Sequence, residues 1–137
     1  MGTTDIPQEM YDAHHRKWLW EDWEYFAKAS PIYYVTRNRT PTLILHGKDD
    51  PRVPPSQSLE LYRQLKLVGW APVRLVWYPG EGHGNARSTV RLDYALRTLR
   101  WMEHYLKGAG GDLQDPDIVY AAYLPWADKD NAGKTDQ

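Results

Sequence analysis

Two short stretches hold the residues best suited to chemistry. Residues 42–53 read TLILHGKDDPRV, an apolar run that ends in the pair Asp49 and Asp50. Residues 73–84 read VRLVWYPGEGHG, a second such run that ends in His83 between Gly80, Gly82 and Gly84. The turn after a parallel strand is where α/β sheets present functional side chains. A carboxylate that orients an imidazole lets the ring take a proton from a hydroxyl and later return it, which is the acid–base half of a Ser-His-Asp site. Glycines let the backbone turn sharply around His83, a freedom that a packing histidine does not require. The bland alternatives are a turn-forming aspartate and a structural loop histidine.

The remaining candidates read more simply. His46 ends its strand as a packed, hydrogen-bonded residue. His14 and His15 are adjacent on a helix, so they do not share a face and make a poor metal pair. His104 lies in the C-terminal half of a helix, where a cation complements the dipole. His and Asp show no recognised zinc spacing, so neither a metal nor another cofactor is expected. The chain contains no G-x-S-x-G, and its serines are Ser30, Ser56, Ser58 and Ser88. None of these sits on a strand-to-helix elbow flanked by glycines, the setting that an activated serine needs.

The elements that must position Asp50 and His83 follow from the pattern. Residues 5–29 are helical in composition, with Pro7 suited to a first turn and Trp18, Trp20 and Trp23 clustered near Glu21 and Asp22. Ser30-Pro31 breaks that helix, because the residue before proline avoids the α region. Thr42 to His46 reads as a buried strand between Pro41 and Gly47. Pro54-Pro55-Ser56 opens a helix with Ser56 as its N-cap, Leu61, Leu65 and Val68 form its apolar face, and Gly69 ends it. Val73 to Tyr78 is the second strand. Arg87 to Lys107 is a helix with Leu92, Leu96, Leu99, Met102 and Leu106 on one stripe. A strand, a crossover helix and a second strand make a unit with parallel strands. The reading is therefore an α/β chain in three parts: residues 1–29 helical, 30–108 the α/β core, and 109–137 a tail. In the tail GAGGDLQDPD is linker-like, IVYAAYLPW is apolar enough to dock, and ADKDNAGKTDQ is expected to be disordered.

Composition sets outer bounds. The 137 residues are enough for one domain. A net charge of −1 argues against a nucleic-acid partner, which calls for a basic footprint. The absence of cysteine excludes disulfides and thiolate catalysis. There is no apolar run of membrane-spanning length and no signal-peptide core, so no membrane association is expected and a cytoplasmic location is the expectation. Seven Trp and ten Tyr against one Phe supply amphipathic area for both core and interfaces.

Residues 30–107, from SPIYYV through TPTLILHGKDDPRVP, SLELYRQLK and VRLVWYPGEGHG to RTLRWMEHYLKG, closely resemble the C-terminal end of catalytic domains of the prolyl oligopeptidase family, in its acylaminoacyl-peptidase and dipeptidyl-peptidase-like branches. GTTDIP and the Trp-rich stretch resemble the segment that follows the nucleophile strand there. The resemblance implies a partial α/β-hydrolase fold, with a short parallel sheet of about two strands flanked by helices. Its motif HGxxDxxV places the triad acid at Asp50 rather than Asp49, and its base at His83. It implies a serine peptidase acting on a peptide or acyl ester, with the nucleophile segment outside these residues and the chain alone inactive. The expected partners are a second copy of the chain, as a dimer or a swapped dimer, or an N-terminal hydrolase portion. The alternative is a non-catalytic, oligomerising α/β module.

Overall fold

The computed structural model describes residues 4–108 together with residues 110, 111 and 113. The remainder of the tail reading, including residues 118–126, lies outside the described residues. The elements in order are α1 (Pro7–Glu9), continued as a π-helical stretch (Met10–His15), α2 (Trp23–Ala29), a 3₁₀ helix (Pro31–Arg37), β1 (Thr42–Gly47), α3 (Pro55–Val68), β2 (Val73–Tyr78) and α4 (Ser88–Leu106).

The helical composition of residues 5–29 is realised as two pieces rather than one. Arg16 takes a left-handed conformation, φ 55°, and its N–H donates to the Tyr11 carbonyl at 2.8 Å, so the first helix stops there. An L-residue in that region cannot continue a right-handed helix. Helix α2 restarts at Trp23, where the Asp22 carboxylate accepts the Tyr25 N–H at 3.0 Å. In the gap, Trp18 stacks on Tyr11 and Trp20, with ring centroids 4.7 and 5.2 Å away.

Strands β1 and β2 pair in parallel from Thr42 opposite Val73 to Gly47 opposite Tyr78. Equal lengths in this register end both strands at the same level. The loops that follow them therefore leave side by side. One further bond, from the Lys48 N–H to the Tyr78 carbonyl at 2.9 Å, carries the ladder into the loops. Among the described residues the sheet has these two strands, so β1 keeps one unpaired edge.

Helix α3 crosses between the strands. Its start differs from the expected Ser56 cap: Pro54 is the capping residue, Pro55 opens the helix, and no side chain caps it. The fixed φ of proline and its missing N–H suit a first helical position, so Pro55 displaces Ser56 into the helix. Gly69 ends α3 with φ 68° and its N–H on the Leu65 carbonyl at 3.0 Å. Inside α3, Ser58 is buried and accepts from the Trp77 indole N–H at 3.2 Å while donating to the Pro55 carbonyl at 2.8 Å. This chain of bonds fixes α3 to β2.

Helix α4 departs from the expected single stripe. Of the predicted residues Leu96 is buried, whereas Leu92, Leu99, Met102 and Leu106 are 36–76% exposed. The inward face carries Asp93, Leu96 and Trp101. Asp93 sets this rotation, because its carboxylate accepts the Tyr78 hydroxyl at 2.9 Å and Arg97 Nε at 2.7 Å. Among the described residues the core is thus Leu65, Tyr78, Leu96 and Trp101, built between the sheet and its two long helices. No helix among the described residues is long and apolar enough to cross a membrane.

Candidate active site

The two loops meet where the register of the strands brings them together. Gly47, the last residue of β1, lies directly beneath the second loop: a Cβ there would overlap the carbonyl groups of Glu81 and Gly82. Asp49 ties the loops twice, with its N–H on the Glu81 carbonyl at 2.9 Å and its carboxylate on the Gly80 N–H at 2.8 Å. Through these two bonds Asp49 stabilises the paired loops beside Asp50.

Asp50 is buried, and both its oxygens are engaged. Oδ1 accepts the N–H groups of Arg52 and Val53 at 2.8 and 3.0 Å, a local turn that fixes the carboxylate plane. Oδ2 lies 3.0 Å from His83 Nδ1. Burial works against the charged form of Asp50, but the hydrogen bonds from Val53, His83 and Arg52 together outweigh it and hold the carboxyl below its ordinary range. An ionised Asp50 can only accept, so Nδ1 donates to it, and in the neutral ring Nε2 keeps its lone pair. The His83 side chain is 51% exposed, which leaves the ring accessible from outside.

His46 approaches Asp50 from the other side. Its Nε2 lies 2.8 Å from the Val53 carbonyl and 3.4 Å from Asp50 Oδ2. A carbonyl partner requires that Nε2 donate. His46 is thus the packed, hydrogen-bonded strand end that its sequence position suggested. The cavity over the pair encloses about 400 Å³ and is walled by Leu45, Val53, Asn85 and Tyr94 as well as by the loops. None of Ser30, Ser56, Ser58 or Ser88 lines it. His15 meets the Tyr25 hydroxyl at 3.2 Å instead, and His104 stands in the last turn of α4 as expected.

Glu81 is the residue that sequence reasoning missed. It is 1% exposed, with its carboxylate on the Ala86 N–H and on Arg87 Nε, both at 2.5 Å. A glutamate between two glycines reads as a solvated loop residue. The available signal was Arg87, the cation that closes the same loop six residues later. The glycine frame is also narrower than expected: Gly80 has φ 77°, whereas Gly82 and Gly84 lie outside the left-handed region.

The chain is similar to known proteins over most of its length. A family model described as the prolyl oligopeptidase family matches residues 1–109. Acylamino-acid-releasing enzyme from Rattus norvegicus is 34% identical over 112 residues, covering 77% of this chain and 15% of that protein. Its counterpart from Mus musculus is 36% identical over 112 residues, with the same coverage of 77% and 15%. The uncharacterized peptidase YuxL of Bacillus subtilis is 34% identical over 111 residues, covering 77% of this chain and 16% of its own length. The chain thus spans about 15% of the length of the curated relatives it matches. In three dimensions the crystal structure of puromycin hydrolase superposes with a TM-score of 0.62 at 24% identity, covering 72% of this chain and 14% of that one. That likeness fixes the architecture as part of an α/β-hydrolase fold, with two parallel strands flanked by helices. Sequence match and fold agree over most of the described residues, and the chain belongs to the prolyl oligopeptidase family.

Proposed function

We propose that Asp50 and His83 are the acid and base of a serine-type acyl-transfer site, acting on a serine supplied from outside these 137 residues. The supporting observation is the 3.0 Å bond from His83 Nδ1 to an Asp50 carboxylate whose other oxygen is held by two backbone N–H groups. In this arrangement His83 Nε2 takes the serine proton as the hydroxyl attacks the acyl carbon. It then delivers that proton to the leaving amine, while Asp50 stabilises the imidazolium. The substrate class that fits the relatives is a peptide with an acylated N-terminus, or an acyl ester of similar shape.

The test is a fluorophosphonate probe together with hydrolysis of an acetylated amino-acid p-nitroanilide. The chain alone is expected to show neither labelling nor turnover. A polypeptide bearing G-x-S-x-G and the rest of the sheet, added to it, is expected to restore both. His83→Ala is then expected to lower turnover by about 10⁴-fold or more. Labelling of the isolated chain would place the nucleophile within it, and restored turnover that survives His83→Ala would remove the base from the proposal.

A second reading, a non-catalytic module that associates with its own copies, is favoured by the unpaired edge of β1 and by the uncovered Leu92, Leu99, Met102 and Leu106 of α4. Light scattering separates the readings, since a concentration-independent monomer is incompatible with the module.

A further inference from the structure

His83 has little of its own to hold it. Its side chain is half exposed, and the bond to Asp50 is the one hydrogen bond of its ring among the described residues. Its neighbours do not fix it either, since a side chain at Gly84 would meet open space and one at Gly82 only the edge of the Asp49 carbonyl at 4.0 Å. An imidazole in this setting samples several rotamers unless the backbone beneath it is fixed. The requirement therefore passes to the loop.

The buried anchor of that loop is Glu81. Its backbone carbonyl receives the Asp49 N–H, which fastens it to the acid-bearing loop. Its carboxylate reaches forward to Ala86 N–H and Arg87 Nε, and Arg87 also donates through Nη2 to the Pro79 carbonyl. Residues 79–87 are thus closed into a ring, with His83 at its middle and Asp49 and Asp50 at its base. Oε2 accepts from Ala86 N–H and Oε1 from Arg87 Nε, so these two donors call for an acceptor oxygen on each side of the group.

Taking Asp50 and His83 as the acid–base pair proposed above, we infer that Glu81, closed by Arg87, is the positioning residue that holds His83 Nδ1 on Asp50. Glu81 touches no reacting atom, and its effect reaches the site through the backbone of residues 82–86. A glutamine in its place keeps the shape but turns an NH₂ towards one of the two donors. That donor is left unpaired in a buried setting, and the ring opens.

The readout is the imidazole Nδ1–H proton of His83, followed by NMR in the full chain labelled at histidine nitrogen and assigned by its loss in Asp50→Asn. In the unaltered chain the resonance is expected to be present. In Glu81→Gln it is expected to vanish at temperatures where circular dichroism and the melting curve still report a folded chain. In Arg87→Lys, which keeps the charge but not the two-pronged reach, it is expected to lose intensity without vanishing. A merely structural Glu81 would lower Tm and leave the resonance of the folded fraction unchanged, and that result overturns the inference. Unfolding of both variants also overturns it, because the closure would then belong to the fold at large rather than to His83. Absence of the resonance from the unaltered chain is a different failure, since it removes the Asp50–His83 pair and with it the proposed function.

Discussion

At the scale of single residues, the glycines around the site separate into those the geometry requires and those it does not. The space for a Cβ at Gly47 is already filled by the Glu81 and Gly82 backbone, and backbone cannot swing aside as a flexible side chain can. Gly80 instead needs its positive φ of 77°. Gly84 needs neither, because a Cβ there meets nothing. In urea unfolding, Gly47→Ala is expected to cost at least about 1–3 kcal/mol as overpacking. Gly80→Ala should cost about 1–2 kcal/mol as left-handed strain, and Gly84→Ala should stay within about 0.5 kcal/mol of zero. Equal effects at Gly47 and Gly84 would mean that the loops do not meet as described. The sequence showed a glycine frame around His83 but could not rank its members, because crowding at Gly47 comes from residues more than thirty positions away. That Asp50 and His83 meet was legible for the opposite reason: each is delivered by a strand end and a turn that are local in sequence. Glu81 was not legible, since its burial appears only once Arg87 folds back on it.

At the scale of elements, the two buried carboxylates of the loops, Asp50 and Glu81, make the site acid-sensitive. Asp50 is pushed below its ordinary range against the opposing effect of burial, and Glu81 is pushed down first by Arg87 and then by the Ala86 N–H. Both groups bind protons less tightly in the folded chain than in the unfolded one. Their contribution is therefore complete above the ordinary carboxylate range near pH 4 and is lost as pH falls through the lower folded values. Melting temperature measured against pH should be level above about pH 5 and drop below about pH 4. Asp50→Asn should make that drop shallower, and an unchanged acid limb would show that Asp50 is not held as an anion. The crossover helix gives a second case. Ser58→Ala removes the acceptor of the Trp77 indole N–H and is expected to cost about 1–3 kcal/mol in thermal or urea unfolding. Apolar spacing located α3 and α4 within a residue or two. It did not predict which face of α4 turns inward, because Tyr78, Asp93 and Arg97 form a polar network that no hydrophobic period records.

At the scale of the whole molecule, the question is what the described residues leave uncovered. Strand β1 offers one row of unpaired N–H and C=O groups, and two concave troughs flank it. One is lined in part by Tyr94, Thr98, Trp101 and Met102, the other by Ile32, Ser58 and Leu61. The uncharged strand residues Thr42 to Leu45 place nothing on this edge that repels another strand. Two paired strands carry little stability alone, so burial of this edge and of the outer α4 face should contribute substantially to how stably the chain folds. If the cover is a second copy, stability becomes a function of concentration, because association draws the folded population forward by mass action. Tm is then expected to rise with protein concentration while light scattering reports a dimer. Leu99→Lys, placed on a residue that is 47% exposed, should shift the population to monomer and abolish that dependence without disturbing the buried Leu96 face. If instead the cover is a serine-bearing polypeptide, the same substitution should weaken complementation of turnover, while the isolated chain shows no dependence of Tm on concentration. Leu99→Lys that alters neither measurement would show that the outer face of α4 is solvent-facing by design, and association would have to run through the β1 edge alone.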